Sequence, residues 1–363
     1  MQKLLMNMSR TKTSISNKKK VFVGLSGGVD SAVSASLLKR DGFDVTGVFI
    51  KAWQPEWLPC TWREERREAM RVCLSLDIPF LFLDLEKEYK EGVVDRMLSE
   101  YRAGRTPNPD VLCNREVKFG HFWEFAKKHG ADFIATGHYA QIDEEGNLLQ
   151  GKDSAKDQSY FLWTLTKSDL EHTLFPIGHL KKEEVRDLAR KFNLSVAKKP
   201  DSQGICFMGE VSMSEFLSHY IESNPGPVLN LKGEKIGEHQ GLVYYTIGER
   251  RGFEIKKKGE ASGPFYVVRK EVSKNALVVS DKEEEIIENS PKSIRLKDLN
   301  LRRDISLDEK LEARVRYHGE RLEISLDGER VKFKNGVKGL SFGQSIVFYS
   351  GEECLGGAVM DGL

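Results

Sequence analysis

Between β-branched residues and a helical run, the chain reads Gly24-Leu25-Ser26-Gly27-Gly28-Val29-Asp30-Ser31. Val21–Leu25 leads in as a short strand. Asp30–Arg40 continues with Ala32, Val33, Leu37 and Leu38 at helical spacing, until Gly42 marks the stop. Adjacent glycines let a backbone approach a phosphate closely, and a helix start offers unpaired N–H donors to an anion. Ser26 and Ser31 add hydroxyls, and Asp30 can hold Mg²⁺ or support the turn. The stretch fits neither the Walker A spacing nor the dinucleotide GxGxxG fingerprint. It predicts a pyrophosphate-binding loop, and hence cleavage of ATP to activate an acceptor that the loop itself leaves open.

Outward from this loop, strand and helix alternate. Val45–Lys51 and Phe80–Leu85 read as strands, and Arg63–Leu76 and Lys87–Ala103 as helices. Beyond a proline-rich loop come a helix over Glu116–His129 and a strand over Asp132–Thr136. The pattern predicts an α/β fold, an open, mainly parallel sheet wrapped by helices, with its ligand beyond the carboxyl ends of the strands. After about residue 209 the chain turns β-rich, with strands expected at Leu242–Thr246 and Phe265–Arg269. From about residue 286, alternation over Leu311–Tyr317, Arg321–Leu326, Glu329–Phe333 and Ser345–Tyr349 suggests a small antiparallel barrel or sandwich. The expected layout is a basic tail over 1–20, a catalytic domain over 21–208, a small central β-rich domain over 209–285 and a C-terminal β-barrel over 286–363.

The 363 residues, 39% of them hydrophobic, suffice for two or three cores. No apolar run reaches the ~18 residues of a membrane span, so no membrane partner is expected. Lys and Arg total 56 against 55 Asp and Glu, a balance that neither announces nor excludes a nucleic acid. The first twenty residues carry six basic groups and no acidic one. They suit a disordered tail, an upstream start or a weak organelle-targeting peptide; the tail is favoured, in a cytoplasmic protein.

Five cysteines, at 60, 73, 113, 206 and 354, form no CxxC pair and no disulfide framework, and no metal site is expected. Cys73 lies beside Met70 and Leu74 on a helix and reads as core; Cys60 and Cys354 also look structural. Cys113 follows Asn108-Pro109-Asp110, which the prolines Pro107 and Pro109 stiffen. Placed at the start of the next helix, it is either a packed residue or a thiol favoured as thiolate. Cys206 sits in an electropositive, glycine-containing loop after Lys198-Lys199-Pro200-Asp201. A phosphate loop with two loop cysteines is coherent as sulfur chemistry, one thiol carrying a persulfide and the other resolving it.

The loop Ser26–Ser31 resembles that of the PP-loop ATPases, which release AMP and pyrophosphate. Residues 20–363 as a whole resemble the tRNA-specific 2-thiouridylases, through that loop, Ala103–Asp110, Leu112-Cys113-Asn114, Ala135–Tyr139, Lys156–Tyr160, Gly204–Phe207 and Gly237–Gly241. The resemblance implies an adenine nucleotide alpha hydrolase-like domain, ATP as co-substrate with Mg²⁺ and no permanently bound cofactor. Its partners would be the anticodon region of tRNA and a cysteine desulfurase or sulfur-relay protein as donor. It implies that Cys206 carries the persulfide, that Cys113 resolves it and that Asp110 acts as acid/base near a flipped uridine. Gly24–Ser31, Ile50 and Gly137 would line the ATP site. Asn108, Pro109, Asp110, His138, Lys156, Asp157, Gln158, Arg316, Tyr317 and Gln344 would contact tRNA. The chain departs from the family pattern at Ala52 and Glu249, where Asn and Gln are common. Three alternatives stay open: a PP-loop ligase that adenylates a carbonyl for an amine, an enzyme whose cysteines hold an iron–sulfur cluster, and a non-catalytic RNA-binding or sulfur-carrier protein.

Overall fold

The strand β1 (Lys20–Gly24), helix α1 (Val29–Arg40), β2 (Asp44–Lys51), α2 (Trp62–Ser75) and β3 (Phe80–Asp84) follow one another. With β4 (Phe133–Ala135) and β7 (Thr173–Leu174), these strands form one sheet in the order β3-β2-β1-β4-β7, every neighbouring pair parallel. The expected parallel α/β sheet is therefore present. The computed structural model describes residues 18–201, 211–256, 263–306 and 309–362. The chain winds outward from β1 to β3, then returns to β4 on the opposite side of β1. The carboxyl end of β1 is the topological switch point, where such sheets bind ligands. The glycine loop occupies that point.

Hydrophobic Val21, Phe22 and Val23 bury β1, and α1 packs over it with Val29, Ala32, Val33, Ala35, Leu37 and Leu38 all buried. Its serines are buried too: Ser34 and Ser36 donate 2.9 Å hydrogen bonds to the carbonyls of Asp30 and Ala32. Small residues that satisfy their own hydroxyls let this helix sit enclosed on nearly every side. Cys73 belongs to the same core, where burial pushes its thiol up to about 12.

Two longer helical runs, α3 (86–102) and α4 (109–128), each contain a π-helical stretch, Lys90–Asp95 and Asn114–His121. The second run begins earlier than the sequence suggests. Pro109 takes the first helical position and Asn108 caps it, its side-chain oxygen accepting from the Val111 N–H at 3.3 Å. Cys113 is consequently the fifth residue of a continuous helical run, not its start, and the expected help from a helix N-terminus is withdrawn.

The central unit is a five-stranded sheet, β10-β9-β8-β12-β11, made from Gly226–Leu229 (β8), Lys235–His239 (β9), Glu254–Ile255 (β10), Tyr266–Glu271 (β11) and Ala276–Ser280 (β12). The strand expected at Leu242–Thr246 is instead a 3₁₀ turn over Leu242–Tyr244. The apolar side chains there do go inward, but Tyr244 and Tyr245 spend their hydroxyls on the carbonyls of Ile221 (2.9 Å) and Gly252 (2.6 Å). A compact turn satisfies that demand where a ladder would not.

Ser293–Leu301 (β13), Glu312–Arg314 (β14), Leu322–Asp327 (β15), Arg330–Phe333 (β16), Ser345–Ser350 (β17) and Glu353–Gly362 (β18) run in the order β13-β16-β15-β14-β17-β18. The β13–β18 pairing closes them into a six-stranded barrel. A hairpin from the first half, β5 (Ala140–Ile142) with β6 (Leu148–Gln150), extends this sheet through β18. The barrel is stitched to the catalytic half by polar bonds. Trp163 Nε1 donates to Ser345 Oγ at 2.9 Å, Tyr160 Oη to the Ser345 carbonyl at 2.9 Å, and Arg302 Nη1 to the Leu165 carbonyl at 2.7 Å. Among the described residues no helix is long and apolar enough to cross a membrane.

Candidate active site

A cleft of about 580 Å³ opens at the carboxyl end of β1. Gly24, Leu25, Ser26, Gly28, Val29, Asp30 and Ser31 form one wall, and Ile50 and Gly137 lie against it. Gly27 turns away, at φ +70°, and a Cβ there would meet the Glu65 carbonyl oxygen at 2.6 Å. Gly137 is a tighter constraint. A Cβ on it would sit 2.8 Å from the Ser31 nitrogen and 2.9 Å from the Asp30 carbonyl carbon, so glycine is what allows β4 to approach the phosphate loop. Ala52, one of the two departures from the family pattern, also lines the cleft.

Cys113 faces this cleft together with Val117 and Lys118 of the π-helical stretch. Although only 3% exposed, its thiol thus shares a cavity with the phosphate loop. π-helical segments re-aim side chains and recur at functional sites. Asp110, at the start of α4, lies behind this wall, within electrostatic reach of Lys118 and Tyr317, both of which line the cleft. Burial raises its carboxyl above the usual range, and the Lys118 charge offsets only part of that shift. A carboxyl so placed is suited to exchange a proton nearer neutral pH than an exposed one. Cys206 lies outside the described residues; among the described residues no disulfide joins Cys60, Cys73, Cys113 or Cys354.

His138 is buried at the cleft wall, with Nδ1 2.8 Å from Thr136 Oγ1. Burial, and then the Lys118 charge, push its imidazole well below the ordinary value, so it meets a ligand as a neutral hydrogen-bonding group. Gln158 lines the cleft while its Oε1 accepts from the Tyr139 N–H at 3.0 Å. Tyr317 enters from the barrel, its ring 4.4 Å from that of Phe161.

Other residues expected at the RNA face have internal partners. The Asp157 carboxylate is 2% exposed and accepts from Gln150 Nε2 (2.7 Å), the N–H groups of Gly151 and Ser159 (both 3.1 Å) and Arg314 Nη1 (3.2 Å). Arg316 donates to the carbonyls of Ile247 and Gly339, tying barrel to central unit. Gln344 Nε2 donates to the Thr106 and Pro107 carbonyls at 3.0 and 3.1 Å, pinning the Pro107–Pro109 loop from the barrel side. The side of that loop marked by Pro107 and Asn108 opens on a second cavity of about 220 Å³. The strand expected over Leu311–Tyr317 is shorter, β14 ending at Arg314.

Among the contributors to the cleft without a sequence signal are three charged side chains. Lys182, from α5 (Lys182–Lys191), reads as one of many solvated helix lysines, yet its Nζ lies 2.8 and 2.9 Å from the two Asp30 carboxylate oxygens. Asp201 and Lys118 are the others. Tyr139 Oη also donates to Asp30 Oδ1, at 2.9 Å. Among the described residues no group of three His, Cys, Asp or Glu side chains could hold a metal ion.

A phosphate loop at the switch point of a parallel sheet, with a cysteine in the same cleft, defines a PP-loop nucleotide-cleaving enzyme. Family models for a tRNA methyl transferase HUP domain, a tRNA methyl transferase PRC-barrel domain and an aminomethyltransferase beta-barrel domain match residues 19–210, 214–281 and 292–360. The tRNA-specific 2-thiouridylase MnmA of Streptococcus thermophilus is 44% identical over 360 residues, 95% of this chain and 96% of that protein. The tRNA-specific 2-thiouridylase MnmA of Lactococcus lactis subsp. cremoris is 44% identical over 358 residues, 94% of each. Among solved structures, the U34-tRNA thiolase NcsA from Methanococcus maripaludis matches 52% of this chain and 61% of its own at 18% identity and TM-score 0.36. The chain belongs to the tRNA-specific 2-thiouridylase family.

Proposed function

We propose that this protein places sulfur on carbon 2 of the wobble uridine of tRNA at the expense of ATP. The observation that carries the proposal is the opening of the phosphate loop and the Cys113 thiol onto one cleft, with the Asp110 carboxyl behind its wall. The uridine oxygen at carbon 2 attacks the α-phosphorus and pyrophosphate leaves. The terminal sulfur of a Cys206 persulfide then attacks carbon 2, and AMP departs with the oxygen. Cys113 attacks the Cys206 sulfur, freeing the thiocarbonyl and forming a Cys113–Cys206 disulfide that a thiol reductant reopens with two electrons. Asp110 moves the proton at the base, and Tyr317, His138 and Gln158 offer the extruded base aromatic and hydrogen-bonding contacts.

Mg²⁺ would accompany the nucleotide and neutralise its phosphates. Both Asp30 oxygens are already engaged by Lys182 and Tyr139, which favours an ion held mainly by phosphate oxygens. The persulfide is supplied by a cysteine desulfurase or sulfur-relay protein. The test is incubation with tRNA, ATP and a desulfurase with cysteine, followed by nucleoside mass spectrometry. 2-Thiouridine at the wobble position is expected. Its absence, with AMP formed on another acceptor, would favour amine ligation instead.

A further inference from the structure

Asp201 gathers three cations around one carboxylate. Its Oδ1 lies 2.8 Å from Lys182 Nζ and 2.6 Å from Arg186 Nη2, and its Oδ2 accepts from Lys156 Nζ at 2.9 Å. Burial works to raise this carboxyl, but the hydrogen bonds from Lys182 and Lys156 outweigh it and bring it to about 2. Two of the three cations, Lys156 and Lys182, line the same cleft as the phosphate loop. Arg186 is not part of that lining; it also donates to the Lys199 carbonyl at 3.2 Å.

Lys182 is already shared between two carboxylates: its ammonium bridges both Asp30 oxygens and lies 2.8 Å from Asp201 Oδ1. A phosphate arriving at Lys182 therefore competes with these carboxylates for its charge. The Asp30 contact is two-pronged, and Asp30 is further fixed by Tyr139. The Asp201 contact is single, and its carboxylate has Arg186 to fall back on. A triphosphate also brings several negative charges against the one of Asp201, so the exchange runs toward the nucleotide.

We propose that Asp201 is a positioning residue that competes with ATP: it holds Lys182 and Lys156 in place without nucleotide and yields both to the phosphates, remaining on Arg186. The inference rests on the glycine loop being the ATP phosphate site. It makes Lys182 and Lys156 phosphate ligands, and it assigns Lys156 a role in nucleotide binding distinct from RNA contact.

Calorimetric titration of the full chain with ATP, pyrophosphate and adenosine tests this. Asp201→Asn keeps the shape and removes the competing charge. It should tighten ATP and pyrophosphate about fivefold, the size of releasing two modest ion pairs, and leave adenosine unchanged. Arg186→Gln removes the fallback partner and should weaken ATP several-fold, again with adenosine unchanged. Asp187→Asn, on the same helix but paired with Arg190, removes an equal charge and should leave ATP affinity within twofold. Weaker or unchanged ATP binding by Asp201→Asn would overturn the proposal, as would equal tightening by Asp187→Asn. Should Asp201→Asn fail to fold, Arg186→Gln decides alone: unchanged or tighter ATP binding overturns it. No ATP binding by the unmodified protein would instead refute the ATP-site reading on which the inference stands.

Discussion

Replacing Arg314 with Met should uncouple the barrel from the active-site cleft. Arg314 supplies the only charged partner among the four donors to the buried Asp157 carboxylate, across a contact between β14 and the segment that also carries Lys156 and Gln158. Removing one member of a buried ion pair costs about 3–5 kcal/mol, because the remaining charge keeps its desolvation penalty. Three neutral donors stay on Asp157 here, and Met retains most of the aliphatic packing. The expected loss is therefore smaller, about 2–3 kcal/mol. Arg314 also lies over the Tyr349 ring at 5.4 Å, and that cation–π contact adds a fraction of a kcal/mol, roughly 0.5–1. Guanidinium unfolding followed by tryptophan fluorescence measures the change, Trp163 being buried at this junction. The double variant Arg314→Met with Asp157→Asn removes both charges and should lose less than the sum of the single losses. A loss below about 1 kcal/mol for Arg314→Met, or full additivity in the double variant, would refute the reasoning.

Gly137→Ala should push β4 off the phosphate loop, since its Cβ would meet the Ser31 nitrogen at 2.8 Å. A displacement near 1 Å costs about a hundredfold in rate, read as tRNA-dependent pyrophosphate release. Asp110→Asn should lower thiolation by about 10²–10⁴ and abolish the acidic limb of its pH profile, which should lie above the usual carboxylate range because burial raises this group. Lys270 is a stability sensor. Burial lowers its ammonium from 10.5 to about 8, with Glu249 acting the other way. Between those values the unfolded chain binds more protons than the native one, so this group's contribution to stability rises with pH from 8 to 10.5. Lys270→Met should flatten that rise and raise stability at pH 7, by at most about 3 kcal/mol, as read by thermal melts across pH.

The phosphate loop was legible because its chemistry is local. Eight consecutive residues supply the glycines, the hydroxyls and the carboxylate, and hydrophobic alternation around them declares the parallel sheet. Distant partnerships leave no such trace. Lys182 and Asp201 meet across a helix and a loop, and each alone resembles a solvated charge. Asp157 looks like a turn residue in sequence, and only the fold shows that its carboxylate points inward. Cys113 was misplaced relative to its helix because Pro109, read as stiffening a loop, is in fact a helix-starting residue. The hairpin Ala140–Gln150 was missed for a related reason. Its strands are three residues each and find their neighbour in β18, two hundred residues away.

Base adenylation is tested most directly by the fate of one oxygen. A tRNA carrying ¹⁸O at carbon 2 of the wobble uridine, incubated with the enzyme, ATP and a persulfide donor, should yield 2-thiouridine and one ¹⁸O atom in each AMP. Thiolated tRNA accompanied by unlabelled AMP would show that the phosphate loop activates something other than the base.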